Sequence, residues 1–270
     1  MQAYVINLAR SLERRAHIMT QLGKARIQYE IVTAVDGRDL DLSDTQVVDP
    51  AFARASAGRP GLIGCALSHL EVYRRVLDDG LERACILEDD IVLPTDLGIL
   101  NDAITQHLRG AEVVLLNFHS KAPCRITKVG AARLPSSRLL VQVVDEGQAA
   151  SAGGYLITRE ACERMVNTVL PVRVVADDWA FFYRKGAIDR LRCVVPMPVI
   201  QSPAFRTTIS YHEPGSLYGS VRETIAGSRV PILHQALALR RRRHLQHYAR
   251  GRTEFVEDVP EGARGLPENG

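Results

Sequence analysis

Short apolar runs alternate with longer amphipathic stretches along most of this chain, and that alternation constrains its fold more than any other feature. Ala3–Leu8 is rich in β-branched and aromatic residues between polar neighbours, which reads as a buried strand. Ser11 is placed to cap a following helix, with Glu13 in its first turn. Leu12, Arg15, Met19 and Leu22 mark the spacing of that helix, and Gly23 is placed to close it. Tyr29–Val35 reads as a second strand, ended by the turn pair Asp36-Gly37. Residues 38–63 are polar and irregular, with Pro50, Gly58, Pro60 and Gly61, the pattern of a functional or mobile segment. Gly64–Leu77 carries Ala66, Leu70, Tyr73 and Leu77 on one helical face, stopped by Asp78-Asp79-Gly80.

Further strands are expected at Ala84–Leu87, Val113–Asn117, Leu139–Val144, Gly154–Thr158 and Leu191–Val195. A helix is expected over Arg159–Val169, before Pro171. Strands and helices in alternation predict the α/β class with a mainly parallel central sheet. The chain has 270 residues, 46% of them hydrophobic and 24% charged, which excludes a disordered, collagenous or coiled-coil protein.

Absent motifs weigh against P-loop NTPases, Rossmann dehydrogenases, zinc proteases and α/β-hydrolases. There is no G-x-x-x-x-G-K-[ST], G-x-G-x-x-G, H-E-x-x-H or G-x-S-x-G. Ser68 and His69 are adjacent and would fall on different sides of a helix, which reads as a structural pair and not a hydrolase dyad. No apolar run reaches the roughly 18 residues of a membrane span. The first residues lack the basic start of a secretory signal. Five scattered cysteines, Cys65, Cys85, Cys124, Cys162 and Cys193, read as free core thiols of a cytoplasmic protein.

Ile86-Leu87 runs directly into Glu88-Asp89-Asp90, and this is the most informative stretch. Three consecutive carboxylates repel one another unless a cation or water offsets them. In open α/β sheets ligands sit outside the carboxyl ends of strands. Strict alternation would put Glu88 and Asp90 on one side and Asp89 on the other. A Glu-x-Asp pair of hard oxygens suits Mn2+ or Mg2+ bridging to phosphates.

Six blocks in order resemble glycosyltransferase family 25, the lipooligosaccharide galactosyltransferases of bacteria and the related collagen galactosyltransferases. They are Tyr4–Leu8 followed by Arg10-Ser11 and Glu13-Arg14-Arg15, Ala34–Gly37, Gly64–His69, Ile86–Asp90, and the later pair Gly154–Ile157 and Pro198–Gln201. The resemblance implies a GT-A type, single Rossmann-like domain over 1–230. It implies a nucleotide-sugar donor, a variant Asp-x-Asp metal motif, and inversion at the anomeric carbon. It places Ile6, Asn7, Leu8, Arg14, Asp36, Ser68 and Asp89 near the donor nucleotide, and Glu88 and Asp90 on the metal. The length is short for the two-domain GT-B architecture.

Sugar transfer needs a carboxylate to take the acceptor hydroxyl's proton. Asp177-Asp178 precedes an aromatic run, so the base is one of these two, with an acidic helix cap as the plain alternative. Trp179 is expected as a sugar platform. His212 is weighed as a late metal ligand against a surface loop His, and residues 202–222 as a mobile acceptor loop. His119 reads either as a site-lining group or as a structural His.

The net charge of +3 conceals a partition. Residues 231–252 hold six arginines and no acid, including Arg240, Arg241, Arg242 and Arg243, so the remainder of the chain is acidic. A basic amphipathic helix over 231–248 followed by a flexible tail to 270 reads as a surface for anionic membrane, on the inner face of the cytoplasmic membrane. A solvated charged face is the alternative reading. Nucleic acid is excluded as a partner, because the body is acidic and no aromatics interleave the arginines.

The expectation is therefore a metal-dependent inverting hexosyltransferase. It would use a UDP-sugar, UDP-galactose first and UDP-glucose as the alternative, on a glycolipid or oligosaccharide acceptor. A catalytically silent nucleotide-sugar-binding protein is the alternative from another class. A metal-dependent phosphodiesterase would need a His-rich second metal site that the sequence lacks.

Overall fold

Along β1 (Ala3–Asn7) every residue is buried, and successive side chains enter different cores. Tyr4 and Ile6 join one hydrophobic cluster, while Ala3 and Val5 join the other. β3 (Arg83–Glu88) does the same, with Ala84 and Ile86 on one side and Cys85 and Leu87 on the other. Strands apolar on both faces must lie between two helical layers. α3 (Gly61–Asp78) and α5 (Arg159–Val169) cover the first face through Ile63, Leu70, Tyr73, Cys162 and Met165. α1 (Leu12–Ala25) and α4 (Leu97–Thr105) cover the second through Ile18, Leu22, Leu97 and Leu100. The computed structural model describes residues 1–56, 59–119, 123–205 and 253–257.

The remaining strands of the main sheet are β2 (Tyr29–Thr33), β5 (Glu112–Leu115), β6 (Cys124–Leu134), β7 (Arg138–Val143), β8 (Gly154–Thr158), β9 (Arg190–Val195) and β11 (Thr253–Val256). They assemble in the order β11-β6-β7-β9-β5-β8-β3-β1-β2. β2, β1 and β3 are parallel, and β8 lies antiparallel between β3 and β5. β9 runs parallel to β5, and β6–β7 is a hairpin with a register shift between Thr127 and Ala132. A separate antiparallel pair joins β4 (Ile91–Val92) to β10 (Ile200–Gln201). Two short α-helices, α2 (Pro50–Ala55) and α6 (Trp179–Arg184), and two 3-10 turns, Gly37–Asp39 and Glu146–Gln148, complete the described elements.

The α/β class and its large central sheet are as the alternation predicts. β8 and α5 match their expected spans residue for residue. Other boundaries differ for local reasons. α1 runs through Gly23 to Ala25 and ends where Arg26 turns left-handed at φ 52°, and the Ser11 side chain makes no cap bond. α2 lies inside the segment read as irregular, started by Asp49, whose carboxylate accepts from Ala51 N at 2.9 Å. β6 was not legible because Lys128, Val129 and Gly130 are exposed and its register shifts. Residues 253–256, inside the expected tail, pair with β6 at the sheet edge. His212 and Arg240–Arg243 lie outside the described residues, as does most of the expected acceptor loop.

Gly64 marks a close approach that shapes the site. A Cβ there would lie 2.6 Å from Val35 O and 2.7 Å from Gly37 N, so α3 can meet the loop after β2 only through a glycine. Gly64→Ala is expected to destabilise the fold by about 1–3 kcal/mol. Gly23→Ala, where a Cβ meets no atom within 4 Å, should instead be neutral or stabilise by about 0.5–1 kcal/mol. Urea unfolding midpoints of the two variants check this.

Candidate active site

A cleft of about 750 Å³ opens at the carboxyl ends of β1, β2 and β3. Ile6 and Leu8 enter it from the end of β1, Arg14 from α1, and residues 34–38 from the loop after β2. Residues 59–62 with Cys65 and Ser68 form the α3 wall. Glu88, Asp89 and Asp90 form the floor, and His119, Ser151, Ala152, Asp177 and Gln201 close the far side.

β3 ends at Glu88, and Asp89-Asp90 is a turn, so strand alternation does not continue through the acidic triplet. The expected separation of Asp89 from Glu88 and Asp90 is therefore corrected. Arg14 Nη1 lies 3.0 Å from Asp89 Oδ1 and 3.2 Å from Asp90 Oδ2. Asn7 Nδ2 donates to Asp89 Oδ2 at 2.7 Å and to Ser11 O at 3.3 Å. Asn7 is thus turned into the protein to hold Asp89 and does not line the cleft. The backbone oxygen of Asp90 accepts from Ser202 N at 2.7 Å and from Gln201 Nε2 at 3.3 Å, so β10 fixes the turn.

The carboxyl groups differ in environment. Burial, reinforced by the Glu88 carboxylate and opposed by Arg14, pushes Asp90 up to about 7. Its Oδ1 is buried without a hydrogen-bond partner. Burial also raises Asp89, against Asn7 and Arg14. Asp36 sits at the mouth, accepting from Arg38 N at 3.2 Å and paired with Arg10 and Arg38.

Ser68 Oγ donates to Gly64 O at 2.6 Å and accepts from Val35 N at 2.9 Å, so its hydroxyl pins α3 to the loop after β2. His69 turns the other way, as expected of a structural pair. Its Nδ1 lies 2.8 Å from Tyr155 Oη, which lies 2.9 Å from Tyr73 Oη. Its Nε2 points toward Glu88 Oε1 at 3.7 Å. Cys65 Sγ is 3.9 Å from the same oxygen, and burial with the nearby carboxylates raises its thiol well above the ordinary value.

The Asp177-Asp178 pair separates. Asp178 caps α6, its Oδ1 accepting from Phe181 N at 3.0 Å. Asp177 faces the cleft, where burial pushes it up, His119 pulls it down, and Glu88 pushes it up further. Trp179 is not open to a sugar. It is 0% exposed, its ring packs edge-on against Tyr155, and its Nε1 donates to Ser151 O at 3.2 Å. An aromatic run beside a carboxylate reads alike whether it faces a ligand or the core, and here the core won. Arg10, Arg38, Arg59 and Cys65 also line the cleft, though no sequence pattern marks them as site residues. Cys65 stood inside a quoted block but resembled an ordinary core thiol.

An open α/β sheet binds its ligand beyond its strand ends, and here that place is an acidic, arginine-clamped cleft. Comparison narrows the class. The profile described as "Glycosyltransferase family 25 (LPS biosynthesis protein)" matches residues 1–180. The chain belongs to glycosyltransferase family 25, as the ordered blocks implied. It is 29% identical over 192 residues to "Lacto-N-neotetraose biosynthesis glycosyltransferase LgtE" of Neisseria meningitidis serogroup B, covering 67% of this chain and 66% of that protein. It is 33% identical over 97 residues to "Procollagen galactosyltransferase 1" of Danio rerio, covering 33% of this chain and 16% of that protein. "Inactive glycosyltransferase 25 family member 3" of Mus musculus is 34% identical over 97 residues, with the same coverage. The chain thus spans about a sixth of the length of these animal relatives.

Asp90 supplies a direct test of the site's electrostatics. Its carboxyl is held at about 7 in the fold against an ordinary 3.8, so the folded state binds that proton more tightly. The stabilisation from protonation is complete below about pH 4 and is lost as pH rises to about 7. Asp90→Asn mimics the neutral acid. In EDTA, thermal unfolding should show Asp90→Asn more stable than the parent by about 1 kcal/mol or more near pH 8, and level with it near pH 4.

Proposed function

We propose that this chain is a metal-dependent, inverting hexosyltransferase that moves galactose from UDP-galactose onto a surface glycolipid or oligosaccharide. The observation that carries the reading is the Asp90 carboxyl, buried beside Glu88 with one oxygen unpartnered, facing Asp177 across the same cleft. Membership of glycosyltransferase family 25 supports the transfer chemistry. Similarity to the procollagen galactosyltransferases supports galactose, and the family's description as LPS biosynthesis proteins supports a bacterial surface acceptor.

Glu88 and Asp90 offer hard oxygen donors, and the orphaned Asp90 oxygen fits a cation such as Mn2+ or Mg2+. When bound, such a cation supplies positive charge for the diphosphate leaving group. Arg14 holds Asp89 and Asp90 in place, and Asn7 secures Asp89 from behind. Asp177, raised by burial, is the group that takes the acceptor hydroxyl's proton, while Asp178 keeps α6 in register. Arg10 and Arg38, gathered on Asp36, present cationic groups at the mouth where a diphosphate would enter. His212, outside the described residues, is proposed as a further cation ligand. Arg240–Arg243 would hold the chain peripherally at the cytoplasmic membrane, beside a lipid-anchored acceptor.

A panel of nucleotide sugars with a glycolipid acceptor tests the reading. Transfer is expected from UDP-galactose with Mn2+ and none in EDTA. Asp177→Asn should lower kcat by about a hundredfold or more, with Asp178→Asn acting mainly through stability. Full activity of Asp177→Asn would place the base elsewhere. Tight binding of UDP-galactose without transfer or hydrolysis would favour a silent binding protein, which the inactive family members keep in view.

The membrane part has its own readout. Each arginine near an anionic surface contributes about 1 kcal/mol. Replacing Arg240–Arg243 with serine should release the chain from phosphatidylglycerol vesicles in co-sedimentation. Unchanged sedimentation would remove these residues from the reading.

A further inference from the structure

We propose that Cys65, His69 and Glu88 form a site for a borderline-soft divalent cation of the zinc class, distinct in its donor set from the Glu88–Asp90 pair. Cys65 and His69 lie four apart on α3 and so share one helix face, and the end of β3 brings Glu88 against them. Glu88 Oε1 is 3.9 Å from Cys65 Sγ and 3.7 Å from His69 Nε2. All three donor atoms lie within 4.8 Å of one another, close enough for one ion to draw them together.

A second observation points to a ligand. His69 is 1% exposed, and its Nε2 is buried with no hydrogen-bond partner while aimed at Glu88. Leaving a buried polar nitrogen unpaired is costly. The other ring nitrogen is already held by Tyr155, and Tyr73 holds Tyr155 in turn. A metal-binding histidine characteristically has its second nitrogen secured in this way, which sets the ring's orientation.

The chemistry of the donors selects the ion. One sulfur, one imidazole nitrogen and one carboxylate oxygen suit zinc-class ions, whereas Mg2+ disfavours sulfur. Cys65 and Glu88 both line the cleft, so a fourth position would open toward it. On binding, the Cys65 S–H bond breaks as the sulfur–metal bond forms, and the proton passes to solvent. One consequence rests on the proposed function: an ion held here withdraws Glu88 from the hard-cation pair, so Zn2+ would inhibit transfer. Binding itself does not depend on that function.

Co2+ serves as the spectroscopic probe on the full chain after EDTA stripping. The expected result is a thiolate-to-cobalt charge-transfer band in the near ultraviolet with strong visible bands of four-coordinate cobalt, both removed by Zn2+. Cys65→Ser should abolish the charge-transfer band and weaken Co2+ binding roughly tenfold or more, whereas Asp177→Asn, outside the donor set, should keep it. If Cys65→Ser does not fold, His69→Gln decides through the same loss of affinity and of the visible bands. No charge-transfer band in the parent, or a band that survives Cys65→Ser, overturns the proposal. A band without any sugar transfer leaves this site standing and counts against the transferase reading; transfer without a band does the reverse.

Discussion

The Arg14 guanidinium between Asp89 and Asp90 is the interaction on which this site depends. Three consecutive carboxylates at the end of a buried strand repel one another, and burial raises the cost of each charge. Arg14 reaches two of them from α1, and Asn7 holds one from behind. The compensation is partial. Asp90 still rises to about 7 and keeps an oxygen with no partner. A fold optimised only for stability would not retain that arrangement, and the residual negative potential suits a cation and a diphosphate.

The sheet explains why these groups meet. β1, β2 and β3 are parallel, so Asn7, the Asp36 loop and Glu88 emerge on one edge. β8 enters antiparallel beside β3, which brings the residues before Gly154 to the same edge, where Glu88 N donates to Gly153 O at 2.9 Å. The Gly37–Gly64 contact then seats the start of α3 against the loop after β2. The cleft is the space left between strand ends, the helices α1 and α3 and several loops, and no single segment builds it. Trp179 contributes from beneath, by supporting Ser151 and Tyr155.

Much of this was legible in the sequence for simple reasons. Strands buried on both faces read as continuous apolar runs, and β8 and α5 were bounded by clear polar and proline signals. The acidic triplet announced the site because no core tolerates it without compensation. Less was legible where a residue type serves two roles equally well. Asp178 and Asp177 are indistinguishable until a helix starts at one of them. Trp179 is equally apt for a core and for a sugar platform. Asn7 is equally apt for a ligand and for an internal carboxylate. Cys65 and His69 read as a core thiol and a structural His because their shared partner, Glu88, lies in a distant segment.

The sequence by itself determined the α/β class, the order of the main strands and helices, the family, and the strand end that carries the carboxylates. These follow from local periodicity, composition and ordered motifs, all of which act over short stretches of chain. Only the tertiary structure decided that Arg14 clamps Asp89 to Asp90, that Asp177 rather than Asp178 faces the cleft, and that His69 Nε2 is left aimed at Glu88. Those outcomes depend on which distant side chains share a buried volume. Burial and pairing there set charge and availability, and no stretch of chain contains that information alone.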